Sequence, residues 1–347
     1  MDDQTRIRKL QLATGRIRLV IDSDAKNEID DQYAIAWALR SPERFRVEAV
    51  YAAPFSHSVF ERNIGNAWNA PEEFPAEGME ESWREIITLY GLLEEDPHGH
   101  VFRGAERYIA ADMTPVLSDA VRDLIQRGMR EEEPLYVASI GAPTNIASAL
   151  LSEPRLAEHL VVVWLGGQPP YFPYGYEFNM AQDIRASQVL FDSGVPMIWI
   201  PCMGVASLLS FSEDDARCRL QGKSRIGSYL AELLLNQVSD PGKAAARAAR
   251  YRTCQLRGRE DQEEAYFEQF ESRYAAWSRT IWDVSTIAFL KNPGWVQTMR
   301  IPSPILREDL SYGRCDPSRH SIRVATYCQR DLIFGDMIAC LNRDTEA

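Results

Sequence analysis

Residues 19–39 read LVIDSDAKNEIDDQYAIAWAL, and this stretch decides the fold. It continues an apolar run over 17–21 whose branched side chains predict a strand buried on both faces. Residues 33–39 keep apolar groups at helical spacing, up to the stop at Ser41 and Pro42. The sequence therefore predicts a strand, an acidic loop and a helix, in that order.

The loop between this strand and helix carries five carboxylates. Because ligands bind beyond the carboxyl ends of the strands in an open parallel sheet, these side chains should converge on one crevice. They would repel one another unless protons or a cation neutralised them, and oxygen ligands favour calcium or magnesium over zinc. The alternative is a solvated loop that places negative charge at a helix N-terminus. The carboxylates are Asp22, Asp24, Glu28, Asp30 and Asp31.

The composition bounds the class of protein. The chain has 347 residues, of which 45% are hydrophobic and 25% charged, as in an ordinary globular protein with a sizeable core. Its net charge of −12 argues against nucleic acid as a partner. The six cysteines lack metal-ligand spacing and are expected to be reduced thiols. No signal peptide or long apolar run is apparent, so we expect a cytoplasmic enzyme or binding protein without membrane contact.

Strand and helix patterns alternate along most of the chain. This predicts an α/β fold with an open, mostly parallel, doubly wound sheet flanked by helices. We expect one domain over 1–347, with its core at about 15–343. Two stretches depart from the alternation: 54–78 resembles a long, lid-like loop, and 212–277 a charged helical excursion.

An Asp-x-Asp motif after the first strand has two interpretations within α/β enzymes. One is a phosphatase of the haloacid dehalogenase type, in which Asp22 and Asp24 would be nucleophile and acid. The motif of such enzymes continues differently after its second aspartate, where they have Thr or Val two residues on and this sequence has neither. The only later Gly-Asp pair, Gly335 and Asp336, also lacks the acidic residue expected after it.

The second interpretation rests on four motifs in the right order. The pattern from Asp22 to Asp31 resembles the signature Asp-x-Asp-Pro-Gly-x-Asp-Asp of the inosine-uridine nucleoside hydrolase family, with a loop two residues longer and without Pro-Gly. The segment GAPTN at 141–145 is similar to the family's Gly-Pro-Leu-Thr-Asn, and EFN at 177–179 to its Glu-Phe-Asn. Asp283 matches the aspartate that completes the metal site. The resemblance covers about 15–343.

This resemblance implies a calcium-dependent N-ribosidase. Calcium would be bound by the carboxylates of Asp24, Asp31 and Asp283 and by the carbonyl of Thr144, and Asp24 would also take a proton from the attacking water. Asp30 and Asn179 would contact the ribose 2- and 3-hydroxyls, and Glu177 the 5-hydroxyl. Six to eight oxygen ligands are what calcium prefers. The family also implies a homodimer or homotetramer and a small nucleoside or ribosyl substrate.

The end of the site that handles the leaving base departs from the family. Trp282 stands where well-known members carry a His; it can stack on a flat ring but cannot donate a proton at neutral pH. His57, after the second strand, is a candidate replacement, although a loop His is often a surface residue. Glu80 is a second candidate replacement, although an acidic residue at a helix start often serves only to stabilise the helix. Tyrosines of the loop after the fifth strand could line this pocket or pack on the core: Tyr171, Tyr174 and Tyr176.

Two functions from different classes therefore follow from the sequence. The first is a calcium-dependent hydrolase of ribonucleosides or a related ribose-like glycoside. The second is a catalytically weak protein that binds metal and pentose after losing the acid that protonates the leaving base.

Overall fold

The computed structural model describes residues 1–65, 74–130, 133–238 and 278–343. In this part of the chain an eight-stranded sheet has the order β3-β2-β1-β4-β5-β6-β10-β9, in which all neighbours are parallel except β10 and β9. Strands β7 and β8 form a separate antiparallel ribbon. The strands are β1 (Ile17–Ser23), β2 (Phe45–Ala52), β3 (Val101–Arg103), β4 (Leu135–Ser139), β5 (Leu160–Leu165), β6 (Met197–Ile200), β7 (Ser210–Ser212), β8 (Ser278–Thr280), β9 (Val296–Pro302) and β10 (Ser321–Cys328).

Helices cover both faces of the sheet. The described α-helices are α1 (Asp3–Lys9), α2 (Asp30–Leu39), α3 (His57–Asn63), α4 (Pro75–Leu93), α5 (Asp119–Arg130), α6 (Thr144–Ser152), α7 (Phe178–Gln182), α8 (Ile184–Asp192), α9 (Glu213–Asp215), α10 (Arg225–Val238), α11 (Val284–Lys291) and α12 (Arg330–Leu341). Short 3-10 turns span Pro154–Glu158, Ala206–Leu208 and Pro293–Trp295, and a π-helical turn spans Ala216–Leu220.

Two hydrophobic cores lie on opposite faces of the sheet. One packs α2, α4, α10, α11 and α12 against it, and the other packs α5, α6 and α8. Strand β1 contributes to both, since Leu19 and Ile21 belong to the first core and Val20 to the second. This explains why its apolar run is continuous rather than alternating.

The strand order places a ligand crevice next to β1. The chain leaves β1 toward β2 on one side, and β4 later pairs with the other side of β1. In a doubly wound sheet this reversal opens a crevice at the carboxyl ends of the strands. The acidic loop after β1 and the loop after β4 therefore meet at the same edge of the sheet.

The predicted fold class is confirmed, and three local expectations need correction. Residues 54–78 were expected to be a loop, but α3 begins after Ser56, whose hydroxyl accepts the Val59 N–H, and α4 starts at Pro75. The sequence pattern does not predict strand β9, because β9 is an antiparallel edge strand with few buried side chains. The apolar pattern over 281–290 predicts a buried helix, and the structure begins this helix only at Val284.

The excursion at 212–277 is described only in part. Its first half is helical as expected, with α9, the π-helical turn and α10, whereas 239–277 lies outside the described residues. In the described ranges no helix combines the length and the apolar character needed to cross a bilayer.

Candidate active site

Strand β1 delivers two carboxylates to the crevice. Asp22 is its penultimate residue and Asp24 follows its end, and both side chains are buried. Asp24 lies directly against the loop after β4, because a Cβ on Gly141 would stand 3.0 Å from Asp24 Oδ1. A residue with a Cβ at this position would need Asp24 or its neighbours to shift by a few tenths of an ångström.

Helix α2 opens with two further buried carboxylates, Asp30 and Asp31. The Ser23 hydroxyl donates a 2.6 Å hydrogen bond to Asp31 Oδ1, which ties the helix start to the end of β1. The positive end of the helix also favours negative charge here. Burial of both groups rules out the alternative of a solvated loop.

Asp283 completes the group from the segment before α11. Carboxylate oxygens of Asp30, Asp31 and Asp283 lie within 4.8 Å of one another, and Asp31 shares a hydrogen bond with Asp283. The backbone N–H groups of Trp282 and Asp283 donate to Asp30 Oδ2 over 2.9 and 3.4 Å. The structure thus brings Asp31 and Asp283 together, as the resemblance implies, and adds Asp30 to the same group.

Burial makes this cluster costly to ionise. Desolvation is the largest cause that raises the pKa of Asp22 and Asp31 to about 7 and of Asp30 to about 8. The pKa values of Asp24 and Asp283 also lie well above their usual range, first through burial and then through repulsion by neighbouring aspartates. At neutral pH the group needs protons or a cation.

The donor set fits a hard cation. Among the described residues, Asp22 Oδ2 and Asp24 Oδ2 are buried acceptors without a hydrogen-bond partner. The grouped side chains offer carboxylate oxygens, the ligands that calcium and magnesium prefer. The contribution of the Thr144 carbonyl stays a prediction.

The raised pKa values predict how stability depends on pH without metal. Unfolded aspartates lose their protons near pH ~4, whereas the folded cluster holds them up to about pH 7 or 8. Between these values the folded chain binds more protons, so its stability falls as pH rises. We expect the melting temperature in chelator to drop by on the order of 5 °C from about pH 5.5 to about pH 8. Excess calcium should flatten this slope. A melting temperature in chelator that does not fall over this pH range would contradict the raised pKa values, and an equal slope in both buffers would contradict calcium binding.

The loop after β4 buttresses the carboxylates. Asn145 Nδ2 donates to Asp22 Oδ1 over 2.8 Å and to the Ala52 carbonyl over 3.3 Å, and its Oδ1 accepts the Ala105 N–H. Thr144 Oγ1 donates to Asp183 Oδ2 over 2.7 Å. One buried amide therefore joins β1, β2 and the segment after β3.

Replacing this amide should destabilise the protein. In Asn145→Leu, Asp22 and two backbone groups would lose their partners, at a cost of about 3 kcal/mol. We expect thermal denaturation to show a melting temperature lower by about 4 °C. An unchanged melting temperature would show that Asn145 does not brace the site.

Glu177 and Asn179 lie on the loop after β5, at the start of α7. Glu177 accepts backbone N–H groups from Gly167, Asn179 and Met180 over 2.7–3.1 Å, although burial still raises its pKa. Asn179 Nδ2 donates to the carbonyls of Ile140 and Leu165, each over 3.1 Å. Both side chains are fixed before any ligand arrives.

The residues proposed for the leaving-base end occupy two places. The His57 ring packs on Phe178 with centroids 5.2 Å apart, which puts it beside the Glu177–Asn179 loop. Trp282 is half-buried next to Asp30, to which its backbone donates. Glu80 instead pairs with Arg103, which holds the pKa of Glu80 below its usual range, so the structure gives it a surface ion pair. Tyr171 is 77% exposed.

The chain matches a known protein family over most of its length. The family model described as inosine-uridine preferring nucleoside hydrolase matches residues 19–334. The chain belongs to this nucleoside hydrolase family. Membership makes the chain an N-glycosyl hydrolase, in a family whose members depend on a metal ion. It leaves the phosphatase interpretation without support.

Individual nucleoside hydrolases are similar to this one at low identity. Pyrimidine-specific ribonucleoside hydrolase RihA from Klebsiella pneumoniae is 28% identical over 231 residues, covering 62% of this chain and 70% of that protein. The protein of the same name from Escherichia coli is 26% identical over 227 residues, with the same coverage. A purine-preferring ribonucleoside hydrolase from Gardnerella vaginalis superposes with a TM-score of 0.65 at 18% identity, over 94% of this chain and 98% of that one. A plant nucleoside hydrolase gives 0.63 at 17%, over 94% and 99%.

The supporting roles of several residues of this nucleoside hydrolase could not be predicted from the sequence. Ser23 and Asn145 lie inside recognised motifs, but their partners Asp31 and Asp22 become evident only in three dimensions. Asp183, which accepts from Thr144, follows Glu-Phe-Asn by four residues and looks like a helix cap in the sequence. For Ser23 and Asn145, a polar residue inside a recognised motif was the available signal.

Proposed function

We propose that this nucleoside hydrolase cleaves the N-glycosidic bond of ribonucleosides with calcium as its cofactor. Asp24, Asp31, Asp283 and the Thr144 carbonyl would hold the ion. The observation that carries the proposal is the buried group of carboxylates at the end of β1 and the starts of α2 and α11, which needs a counter-charge at neutral pH. When bound, calcium supplies positive charge that lowers the pKa of a water molecule and orients vicinal hydroxyls.

The sugar is held by groups that are already fixed. Because both protons of the Asn179 amide are engaged by the Ile140 and Leu165 carbonyls, Asn179 offers its Oδ1 to a ribose hydroxyl. Asp30 accepts from a second hydroxyl. Glu177, held by three backbone amides, accepts from the 5-hydroxyl. Prior fixation reduces the entropy cost of binding.

Asp24 is the proposed general base. It accepts a proton from the attacking water while the water oxygen bonds to the anomeric carbon and the bond to the base nitrogen breaks. Positive charge develops on the sugar in such a transition state, and the neighbouring carboxylates stabilise it.

The proposed pocket for the leaving base differs from that of well-known family members, because Trp282 stands in place of a His. Trp282 would stack on the base, and His57, beside Phe178, is the proposed donor or contact for it. Since indole cannot protonate a leaving group, we expect substrates with good leaving groups to react fastest. The same replacement is what favours the second candidate, a weak enzyme that mainly binds metal and pentose.

A panel of ribonucleosides tests the proposal. The purified protein with excess calcium should release free ribose from at least one of uridine, cytidine, inosine and adenosine, measured as reducing sugar, and should release no phosphate from phosphate esters. Calcium and ribose binding without ribose release from any substrate would instead support the binding protein. We also propose a homodimer or homotetramer, which light scattering tests directly.

A further inference from the structure

The lengthened acidic loop at 25–29 is anchored by an ion pair to a distant part of the chain. Glu28, within this loop, pairs with Arg279 of β8. The Arg279 side chain is only 7% exposed and that of Glu28 32%. The Arg279 end of this pair is therefore largely shielded from water, unlike the ends of a pair between two exposed side chains.

Arg279 is placed by the β7–β8 ribbon. It pairs in register with Phe211 of β7, and the Ile281 N–H donates to the Leu209 carbonyl over 2.9 Å to extend the ribbon. The chain then runs directly into Trp282 and Asp283. The same short segment therefore carries the partner of Glu28 and one of the proposed metal ligands.

A second connection joins the same two pieces of chain. The N–H groups of Trp282 and Asp283 donate to Asp30 Oδ2, two residues beyond Glu28. Segments 279–283 and 28–30 are thus connected at two points: Arg279 pairs with Glu28, and the backbone at 282–283 donates to Asp30. At the second of these connections, carboxylate oxygens of Asp283, Asp30 and Asp31 lie within 4.8 Å of one another.

We propose that Glu28 and Arg279 are positioning residues. They hold two of the proposed metal ligands, Asp31 at the start of α2 and Asp283 before α11, at binding distance from each other. The inference rests on the proposed metal site and goes beyond it, since neither residue contacts the ion. In this chain the pair restrains the loop at 25–29, which lacks the Pro-Gly of the family signature.

Positioning and simple electrostatics predict opposite results for Arg279. If only charge mattered, Arg279→Met would remove a cation near the site and tighten calcium binding, whereas Glu28→Gln would weaken it. If the pair positions the ligands, either change breaks the same connection. Both variants should then bind calcium more weakly, and the double variant should be no weaker than the weaker single variant.

Calcium titration of the full-length, chelator-stripped protein by calorimetry tests the inference. We expect Arg279→Met and Glu28→Gln each to weaken calcium binding by about tenfold or more, with the double variant similar. Arg279→Lys, which keeps the charge, should recover part of the loss. Lys26→Met is the matched control, because Lys26 lies in the same loop but pairs with Glu85 of α4 over 3.1 Å; it should change the affinity by less than about twofold.

Tighter binding by Arg279→Met, or an equal loss in Lys26→Met, would overturn the inference. So would unchanged affinity in both pair variants. If the unaltered protein itself binds no calcium, the proposed metal site fails first. Circular dichroism of each variant separates weakened binding from loss of the fold.

Discussion

Asp24→Asn is expected to lower kcat for ribonucleoside hydrolysis by at least about a thousandfold at saturating calcium. The amide keeps the size of the carboxylate but cannot accept the water proton. It also removes one charge from a crowded, buried group, so the metal-free protein should be at least as stable as the unaltered one.

Steady-state kinetics with a ribonucleoside, together with thermal denaturation in chelator, checks this result. Asp192→Asn is a suitable control, because Asp192 pairs with Arg319 on the surface and its side chain is 59% exposed. It should leave kcat unchanged. Asp24→Asn with more than a tenth of normal kcat would show that another group accepts the proton.

Asp283→Asn is expected to have the second largest effect, on metal binding. Asp283 is buried and shares a hydrogen bond with Asp31, and it reaches the cluster from a different part of the chain. Without its charge, calcium affinity should fall by about a hundredfold. The metal-free protein should melt at a higher temperature at about pH 8, because repulsion among the aspartates raises the pKa of Asp283 in addition to burial.

Calorimetric calcium titration and melting curves in chelator measure the two effects separately. Together they distinguish a metal ligand from a merely structural aspartate, whose replacement would lower stability and leave the calcium affinity alone. Retained affinity with a lower melting temperature would therefore contradict the role of Asp283.

Local patterns in the sequence were sufficient for the fold class and for the carboxylates that follow β1, whereas the other candidate site residues came from the family resemblance. A strand buried on both faces has to be continuously apolar, and the run that ends at Asp22 meets this condition. The carboxyl ends of parallel strands share one edge, so motifs after β1, β4 and β5 had to meet there. Asp283 was placed by resemblance, and the structure brings it to Asp31.

The supporting contacts could not be predicted, since they join residues far apart in the sequence. Asn145 reaches Asp22 across 123 positions, and Arg279 reaches Glu28 through the β7–β8 ribbon, whose three-residue strands carry too little pattern to detect. Likewise, β9 buries only one of its seven side chains and lacks the apolar signature of the inner strands. The position of His57 on Phe178 depends on α3, which the sequence suggested only as a loop.

The metal requirement is tested most directly by the rate of p-nitrophenyl riboside hydrolysis at different concentrations of free calcium, set with chelator buffers. This substrate has a leaving group that needs no protonation, so the rebuilt base pocket does not limit its reaction. We predict that the rate is near zero in chelator and rises to saturation as calcium fills the site. A rate that is the same with and without chelator would contradict the claim that the buried aspartates serve a metal-dependent hydrolysis.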